Sequence, residues 1–202
     1  MRVLIEMTGT SPLLCHNEQL ASPSNSWARA IAELTSKSEK TPEDHSEIAR
    51  LEFMGGLYIG KQGPMIPTAN IHRCLVEAAK VRREGRKVER GLIPTAMEIP
   101  LEYDGPRDPA QLWADERFRY MSMVKIGKSK ISRMRPRFID WKLVSEWELL
   151  TDVMDLDRNL VRITAESGLI EGLGDGRKKG FGRFVGVARA AAVTPLKKSA
   201  AA

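Results

Sequence analysis

Five glycines fall within residues 172–183, Gly-Leu-Gly-Asp-Gly-Arg-Lys-Lys-Gly-Phe-Gly-Arg, and this segment restricts the fold more than any other part of the chain. The apolar residues Leu156, Leu160 and Ile163 before it share one face of a helix, and residues 181–188 read as a strand. Glycine destabilises the interior of helices and strands but permits positive φ angles. The segment, called the glycine loop below, therefore predicts a connection between a last helix and a last strand.

The remaining patterns predict an α+β fold. Residues 2–9 read as a strand, and residues 16–56 contain two helical patterns, the second opening at Thr41-Pro-Glu-Asp with a capping threonine. Without that insertion the order is strand, helix, strands, helix, strand, which is the βαββαβ order of a ferredoxin-like (RRM-like) core. We predict a single domain over residues 1–202 with a helical insertion at 16–56, a protruding basic β-hairpin at 104–140 and a flexible tail at 190–202.

Several local boundaries follow from the same patterns. Thr68 is expected to cap a helix that runs to about Arg83, and the charged stretch 80–90 is expected to be a loop or a frayed helix end. Residues 96–103 and Trp141–Val153 read as strands. The runs Tyr120–Ile126 and Ile131–Phe138, on either side of Gly127-Lys-Ser, predict a long hairpin.

Composition limits the class of protein. The net charge of +6 and the pI of about 9.4 favour a polyanionic partner, nucleic acid first. Cys15 and Cys74 belong to no Cys/His cluster, so neither a metal nor a cofactor is expected. The start lacks the apolar core of a signal peptide and no stretch is long enough to span a bilayer, so a cytoplasmic location with reduced thiols is expected and no membrane partner is.

The glycine loop combines a permissive backbone with positive charge, which suits phosphate groups. It differs from a P-loop in its residue order and in following a helix, and it lacks the strand-then-helix context of a dinucleotide-binding loop. The alternative is a flexible surface hairpin with solvated lysines. The predicted phosphate contacts are Gly174, Gly176, Arg177, Lys178, Lys179, Gly180, Phe181, Gly182 and Arg183.

The predicted hairpin is strongly basic and has no acidic residue among its cations. Phe118, Tyr120 and Met134 are interleaved with the cations, so bases could stack while the cations hold phosphates. Such density is not expected from folding requirements, because like charges repel; the alternative is a charged edge that discourages sheet aggregation. The predicted contacts are Arg117, Arg119, Lys125, Lys128, Lys130, Arg133, Arg135 and Arg137.

Two of these motifs resemble those of the RAMP superfamily, the RRM-like proteins of CRISPR effector complexes. Residues 174–183 are similar to the family's glycine-rich loop, and Ile66-Pro-Thr-Ala-Asn-Ile looks like its Ile-Pro-Gly-Ser-Ser-Leu helix start, with Thr68-Ala69 in place of Gly-Ser. On its own this helix start is a turn with free N–H groups, a possible anion site. The basic hairpin would correspond to the protruding thumb of the family's RNA-backbone subunits.

The resemblance implies a protein of antiviral defence that cradles single-stranded RNA, such as a crRNA, in a ribonucleoprotein and can polymerise along it with other copies or other effector subunits. It adds Asn70 and Arg73 to the expected contacts. A relative from a phage or another mobile element that binds its own RNA or single-stranded DNA is equally compatible.

Catalysis is a second hypothesis, because some members of the superfamily cut RNA without metal through histidine. His16 and His72 are the candidates, whereas His45 is expected at the surface. Asp152, Asp155 and Asp157 are explained by helix capping. The balance favours a binding protein over an endoribonuclease, and a third hypothesis is a structural assembly protein whose basic face binds an acidic protein.

Overall fold

The computed structural model describes residues 1–127 and 129–192 and has a mixed α+β fold with open antiparallel sheets. The strands are β1 (Arg2–Gly9), β2 (Leu13–Leu14), β3 (Ile59–Gly60), β4 (Gly63–Pro67), β5 (Leu92–Pro94), β6 (Glu98–Pro100), β7 (Arg119–Ile126), β8 (Ser129–Phe138), β9 (Lys142–Leu149) and β10 (Phe184–Ala190). The helices are α1 (Ser26–Thr35), α2 (Pro42–Gly56), α3 (Thr68–Lys80), α4 (Gly85–Gly91), α5 (Pro109–Ala114) and α6 (Val161–Ile170).

The central sheet has the strand order β10-β1-β9-β5, and every neighbouring pair is antiparallel. Alternate residues of its strands, such as Ile5 and Trp147, are fully buried in the main core. Helix α6 packs on β10 and also against α3. Gly168 and Gly186 permit this, because a Cβ at either position would overlap a backbone carbonyl of the facing element. The sheet therefore holds the start of α3 and the end of α6 in fixed positions.

The insertion forms the two predicted helices. Helix α2 begins with a capping box in which the Thr41 hydroxyl accepts from the Asp44 amide at 3.2 Å and the Asp44 carboxylate accepts from the Thr41 amide at 3.1 Å. Helix α3 differs from expectation at its start, because Pro67 occupies the cap position. The Thr68 hydroxyl instead donates to the Ala96 carbonyl at 2.6 Å and ties α3 to the chain before β6.

The prediction for residues 80–103 was wrong in part. Residues 85–91 form helix α4, whose Val88 is fully buried, so the segment is neither a loop nor a frayed end. Strand β5 was not predicted, although it is the edge of the central sheet. Only Leu92 of its three residues is buried, which is too short for an alternating pattern.

The predicted hairpin is present as β7 and β8, with Tyr120 opposite Arg135 and Ser122 opposite Arg133. Strand β8 also pairs with β2 through Leu13 and Phe138. Helix α2 packs against β8, so the insertion and the hairpin lie side by side. In the ranges that the structure describes, no helix is long and apolar enough to cross a bilayer.

Candidate nucleic-acid interface

The glycine loop needs its glycines for conformation. Gly172, Gly174, Gly176, Gly180 and Gly182 all have φ between 68° and 90°. A Cβ at Gly174 would also overlap the Leu14 carbonyl, and one at Gly182 would overlap the Leu173 carbonyl. The loop therefore depends on glycine for both positive φ and close backbone contact.

The alternative of a flexible surface hairpin does not fit the hydrogen bonds of this backbone. The Asp175 amide donates to the Leu14 carbonyl at 2.8 Å, and the Gly182 amide donates to the Pro12 carbonyl at 2.8 Å. The Ser11 hydroxyl donates to the Gly180 carbonyl at 2.8 Å and accepts from the Arg183 amide at 2.9 Å. The segment between β1 and β2 thus fixes the loop in one shape.

The loop forms one wall of a cavity of about 220 Å³, called the loop cavity below. The cavity is open on one side, so a phosphate group can approach it from solvent. Four distant parts of the chain meet here: the residues after β2, the residue before β3, the start of α3 and the glycine loop. The cavity is lined by Cys15, His16, Tyr58, Ile66, Asn70, Arg73, Gly172, Leu173, Gly174, Asp175 and Arg177.

Tyr58 connects two walls of the loop cavity. Its hydroxyl donates to the His16 carbonyl at 3.2 Å. Burial raises the pKa of Tyr58, so the phenol stays protonated and able to donate. Arg73 and Arg177 bring two guanidinium groups to the rim, with 71% and 42% of their side chains exposed.

A half-buried ion pair of Arg135 and Asp175 lies beside His16. Arg135 is 6% exposed and donates from Nε to Asp175 Oδ2 at 2.9 Å. Burial works against ionisation of Asp175, but the hydrogen bonds from Arg135 and the Gly176 amide outweigh it, so the pKa of Asp175 is lowered. Partial burial, and then the charge of Arg135, lower the pKa of His16. His16 is therefore neutral at pH 7.

The basic hairpin is bound to the rest of the protein by its own arginines. Arg133 donates to Glu52 at 2.5 Å, and the other oxygen of Glu52 accepts from the Met134 amide at 2.7 Å. Glu52 itself is 4% exposed. The view that these cations are not needed for folding is therefore wrong for Arg133 and Arg135, because each joins β8 to a carboxylate from a distant part of the chain.

The other arginines of the hairpin region also have partners within the protein. Arg117 pairs with Asp115 at 2.7 Å and Arg119 with Glu116 at 3.0 Å. Arg137 donates to the Arg117 carbonyl at 3.0 Å. Lys128 and the side chains of Lys125 and Lys130 lie outside the described residues. The predicted stripe of unpaired cations is thus absent from the described part of the hairpin.

The cations of the glycine loop have separate roles. Arg183 donates to the Leu169 carbonyl at 2.6 Å and to the Arg177 carbonyl at 3.1 Å, so it closes the end of α6. Lys179 donates to the Met123 carbonyl at 2.9 Å, which fastens the loop to β7. Lys178 is exposed. Phe181 packs edge-on against Tyr120, with ring centroids 4.9 Å apart.

The two candidate histidines lie in different surroundings. His72 stacks on Trp147 with ring centroids 5.8 Å apart, and its Nε2 is buried without a hydrogen-bond partner. His72 therefore does not reach the loop cavity, whereas His16 lines it. His45, expected at the surface, is exposed. Asp155 caps the π-helical turn Leu156–Leu160 before α6, as its predicted role requires.

A second depression of about 410 Å³ begins at His16 and follows one face of the hairpin. Its lining includes Arg133, Arg135 and Val124, with Ala28 and Ile31 of α1 on the opposite side. His16 belongs to both depressions. A chain that leaves the loop cavity at His16 can therefore continue between the hairpin and the insertion.

The outer face of the central sheet offers a different surface. RRM domains stack bases on aromatic side chains of this face. Here the outward positions of the four strands, all described, carry acids such as Glu6, cations such as Arg189 and aliphatic residues such as Val187, with no aromatic residue. This surface does not suit base stacking.

Sequence reasoning missed Tyr58, Asp175 and Glu52 as residues of the interface. Asp175 stands within the glycine loop, so its position near the site could be recognised from the sequence, but its pairing with Arg135 could not. Tyr58 and Glu52 carried no local signal, because their contacts are with residues far away in the sequence. Cys15 and Cys74 are buried, and burial raises the pKa of each thiol to about 12, so neither is a thiolate nucleophile at neutral pH.

Within the described ranges, no group of three or more His, Cys, Asp or Glu side chains could hold a metal ion. Comparison of the sequence with protein-family models gives no match. Comparison with curated proteins gives no match either.

Proposed function

We propose that the chain binds single-stranded nucleic acid, RNA in the first place, with a phosphate in the loop cavity. The observation that carries the proposal is the convergence of His16, Asn70, Arg73 and the glycine loop on one cavity, since these residues come from separate parts of the sequence. An amide side chain and two arginines are groups that bind phosphates without reading sequence.

Part of this proposal is that the core is ferredoxin-like. In chain order β1, α3, β5, β9, α6 and β10 follow the βαββαβ pattern, with α4 between α3 and β5. The strand order β10-β1-β9-β5 and the contact of α3 with α6 support it. The glycine loop, the helix start and the hairpin further support membership of the RAMP superfamily and a place in a ribonucleoprotein with other copies or subunits.

The depression along the hairpin supports a path for the strand. From the loop cavity the nucleic acid passes His16 and enters the space between the hairpin and α1. Arg133 and Arg135 shape this path while they hold the hairpin in place, and Val124 and Ile31 provide apolar surface for bases. The first role of Arg133 and Arg135 is thus to stabilise the fold.

The logarithm of the affinity for single-stranded RNA should fall linearly with the logarithm of salt concentration, with a slope of about −0.7 for each phosphate neutralised. Because most hairpin arginines are already paired, we expect a slope of about −1.5 to −3, which corresponds to a few phosphates. Fluorescence anisotropy with a labelled oligouridylate from 50 to 300 mM salt measures it, with a duplex of the same length as control. A slope near zero, or no binding to single strands, would contradict the proposal.

A second candidate is metal-independent RNA cleavage, and the position of His16 favours it. A neutral imidazole in the loop cavity can accept a proton from a ribose hydroxyl, whereas His72 does not line that cavity. Cleavage would then persist in EDTA and disappear in His16→Ala. Wild-type protein that leaves labelled RNA intact after long incubation would exclude this activity.

A further inference from the structure

The two arginines of the loop cavity are each paired with a glutamate that does not line it. Arg73 contacts Glu77 at 2.5 Å on α3, and Arg177 pairs with Glu171 at the end of α6. Glu77 also contacts Lys80 at 2.8 Å. The cations that would attract a phosphate are therefore already neutralised in the protein without nucleic acid.

These two ion pairs can be broken easily, so that each arginine is able to bind a phosphate instead of its glutamate. Arg73 and Arg177 are far more exposed than their partners, of which Glu77 is 23% and Glu171 27% exposed. An ion pair on the surface contributes little to stability, so breaking it costs little. The pair of Arg135 and Asp175 is the reverse case, because its arginine is 8% exposed and its carboxylate 39%.

The second observation is that the two pairs are electrostatically linked. The pKa of Glu77 is lowered, first by the hydrogen bond with Lys80 and then by the charges of Arg73 and Lys80 and, more weakly, of Arg177. Arg177 on the glycine loop is thus near enough to α3 to act on Glu77. The two arginines of the cavity therefore belong to ion pairs and do not form a simple cluster of cations.

We infer that Glu77 and Glu171 compete with nucleic-acid phosphates for Arg73 and Arg177, and so set the affinity and the salt dependence of the site. This inference rests on the proposed function. Binding replaces a carboxylate by a phosphate at each guanidinium, and the released carboxylate takes up a cation from solution. Part of the counterion release that normally drives nucleic-acid binding is thereby cancelled.

The test compares Glu77→Gln and Glu171→Gln with Glu166→Gln. The control removes the same charge from α6 and breaks a similar exposed ion pair with Arg82 at 2.9 Å, but Glu166 has no contact with the two cavity arginines. We expect each cavity variant to bind single-stranded RNA about twofold to fivefold more tightly than wild type at 100 mM salt. The slope of log affinity against log salt concentration should become steeper by about 0.7 for each glutamate removed. The control variant should change neither the affinity nor this slope.

Three outcomes decide the matter. Tighter binding with a steeper slope in the cavity variants alone supports the competition. Unchanged or weaker binding in these variants, with wild type still binding RNA, overturns it and leaves the proposed function standing, since the glutamates would then only orient the arginines. Absence of RNA binding in wild type and in all variants overturns both. Urea unfolding of each variant confirms that the fold is retained.

Discussion

Replacement of Glu52 by alanine is expected to lower the free energy of unfolding by about 3–5 kcal/mol, the usual cost of removing one partner from a buried ion pair. Glu52 is 4% exposed and serves two groups of β8, the guanidinium of Arg133 and the amide of Met134. Without the carboxylate, a partly buried charge and a buried amide both lose their partner. Urea unfolding followed by circular dichroism measures the loss.

Glu47 provides a matched control on the same helix. It pairs with Arg50 at 2.7 Å, but both side chains are about 40% exposed, so Glu47→Ala should cost less than about 1 kcal/mol. Glu52→Gln should fall between the two, because the amide oxygen still accepts from Met134 but the charge opposite Arg133 is gone. Equal destabilisation by Glu52→Ala and Glu47→Ala would show that Glu52 does not join the insertion to the hairpin.

The double variant Arg73→Gln with Arg177→Gln is expected to weaken binding of single-stranded RNA by about 10–100-fold at 100 mM salt. Each arginine can make a charge-assisted hydrogen bond to a phosphate, and its exposure reduces the contribution to about 1 kcal/mol or slightly more. The salt slope should become shallower by less than about 1.4, because Glu77 and Glu171 already cancel part of the counterion release at these two phosphate contacts. Anisotropy titrations at several salt concentrations measure both quantities.

The control for this pair is Arg86→Gln with Arg90→Gln. Both residues are exposed on α4, and the double change alters the net charge by the same amount outside the loop cavity. We expect at most a twofold change in affinity from it, as long-range attraction is screened beyond about 10 Å at 100 mM salt. A similar loss of affinity in both double variants would mean that only net charge matters and would contradict a localised site.

Local signals in the sequence predicted the helices of the insertion, the long hairpin and the glycine loop. Thr41-Pro-Glu-Asp specifies its cap through neighbouring residues, and the hairpin is an alternation around a single turn. Strand β5 was missed because it consists of three residues and depends on pairing with β9. Patterns with short periods are visible in a sequence, whereas edge strands are defined by the sheet they join.

The candidate site was likewise predictable from local sequence only in part. His16, Asn70, Arg73 and the glycine loop were recognisable as chemical types, but their meeting in one cavity depends on β1, α3 and α6 being adjacent. The basic hairpin was interpreted as a free cationic surface because its acidic partners are remote: Arg133 is 81 positions from Glu52, and Arg135 is 40 positions from Asp175. Charge density in a sequence does not reveal which charges are paired after folding.

The most direct test of the central claim is photo-crosslinking of 4-thiouridine RNA to the protein, followed by mass spectrometry of the crosslinked peptides. Binding in the loop cavity predicts crosslinks within residues 15–16, 58–73 and 172–177, and their loss in the Arg73→Gln, Arg177→Gln double variant. Crosslinks confined to the outer face of the central sheet, around Val144 and Val187, would contradict the claim and place the RNA on the surface that RRM domains use.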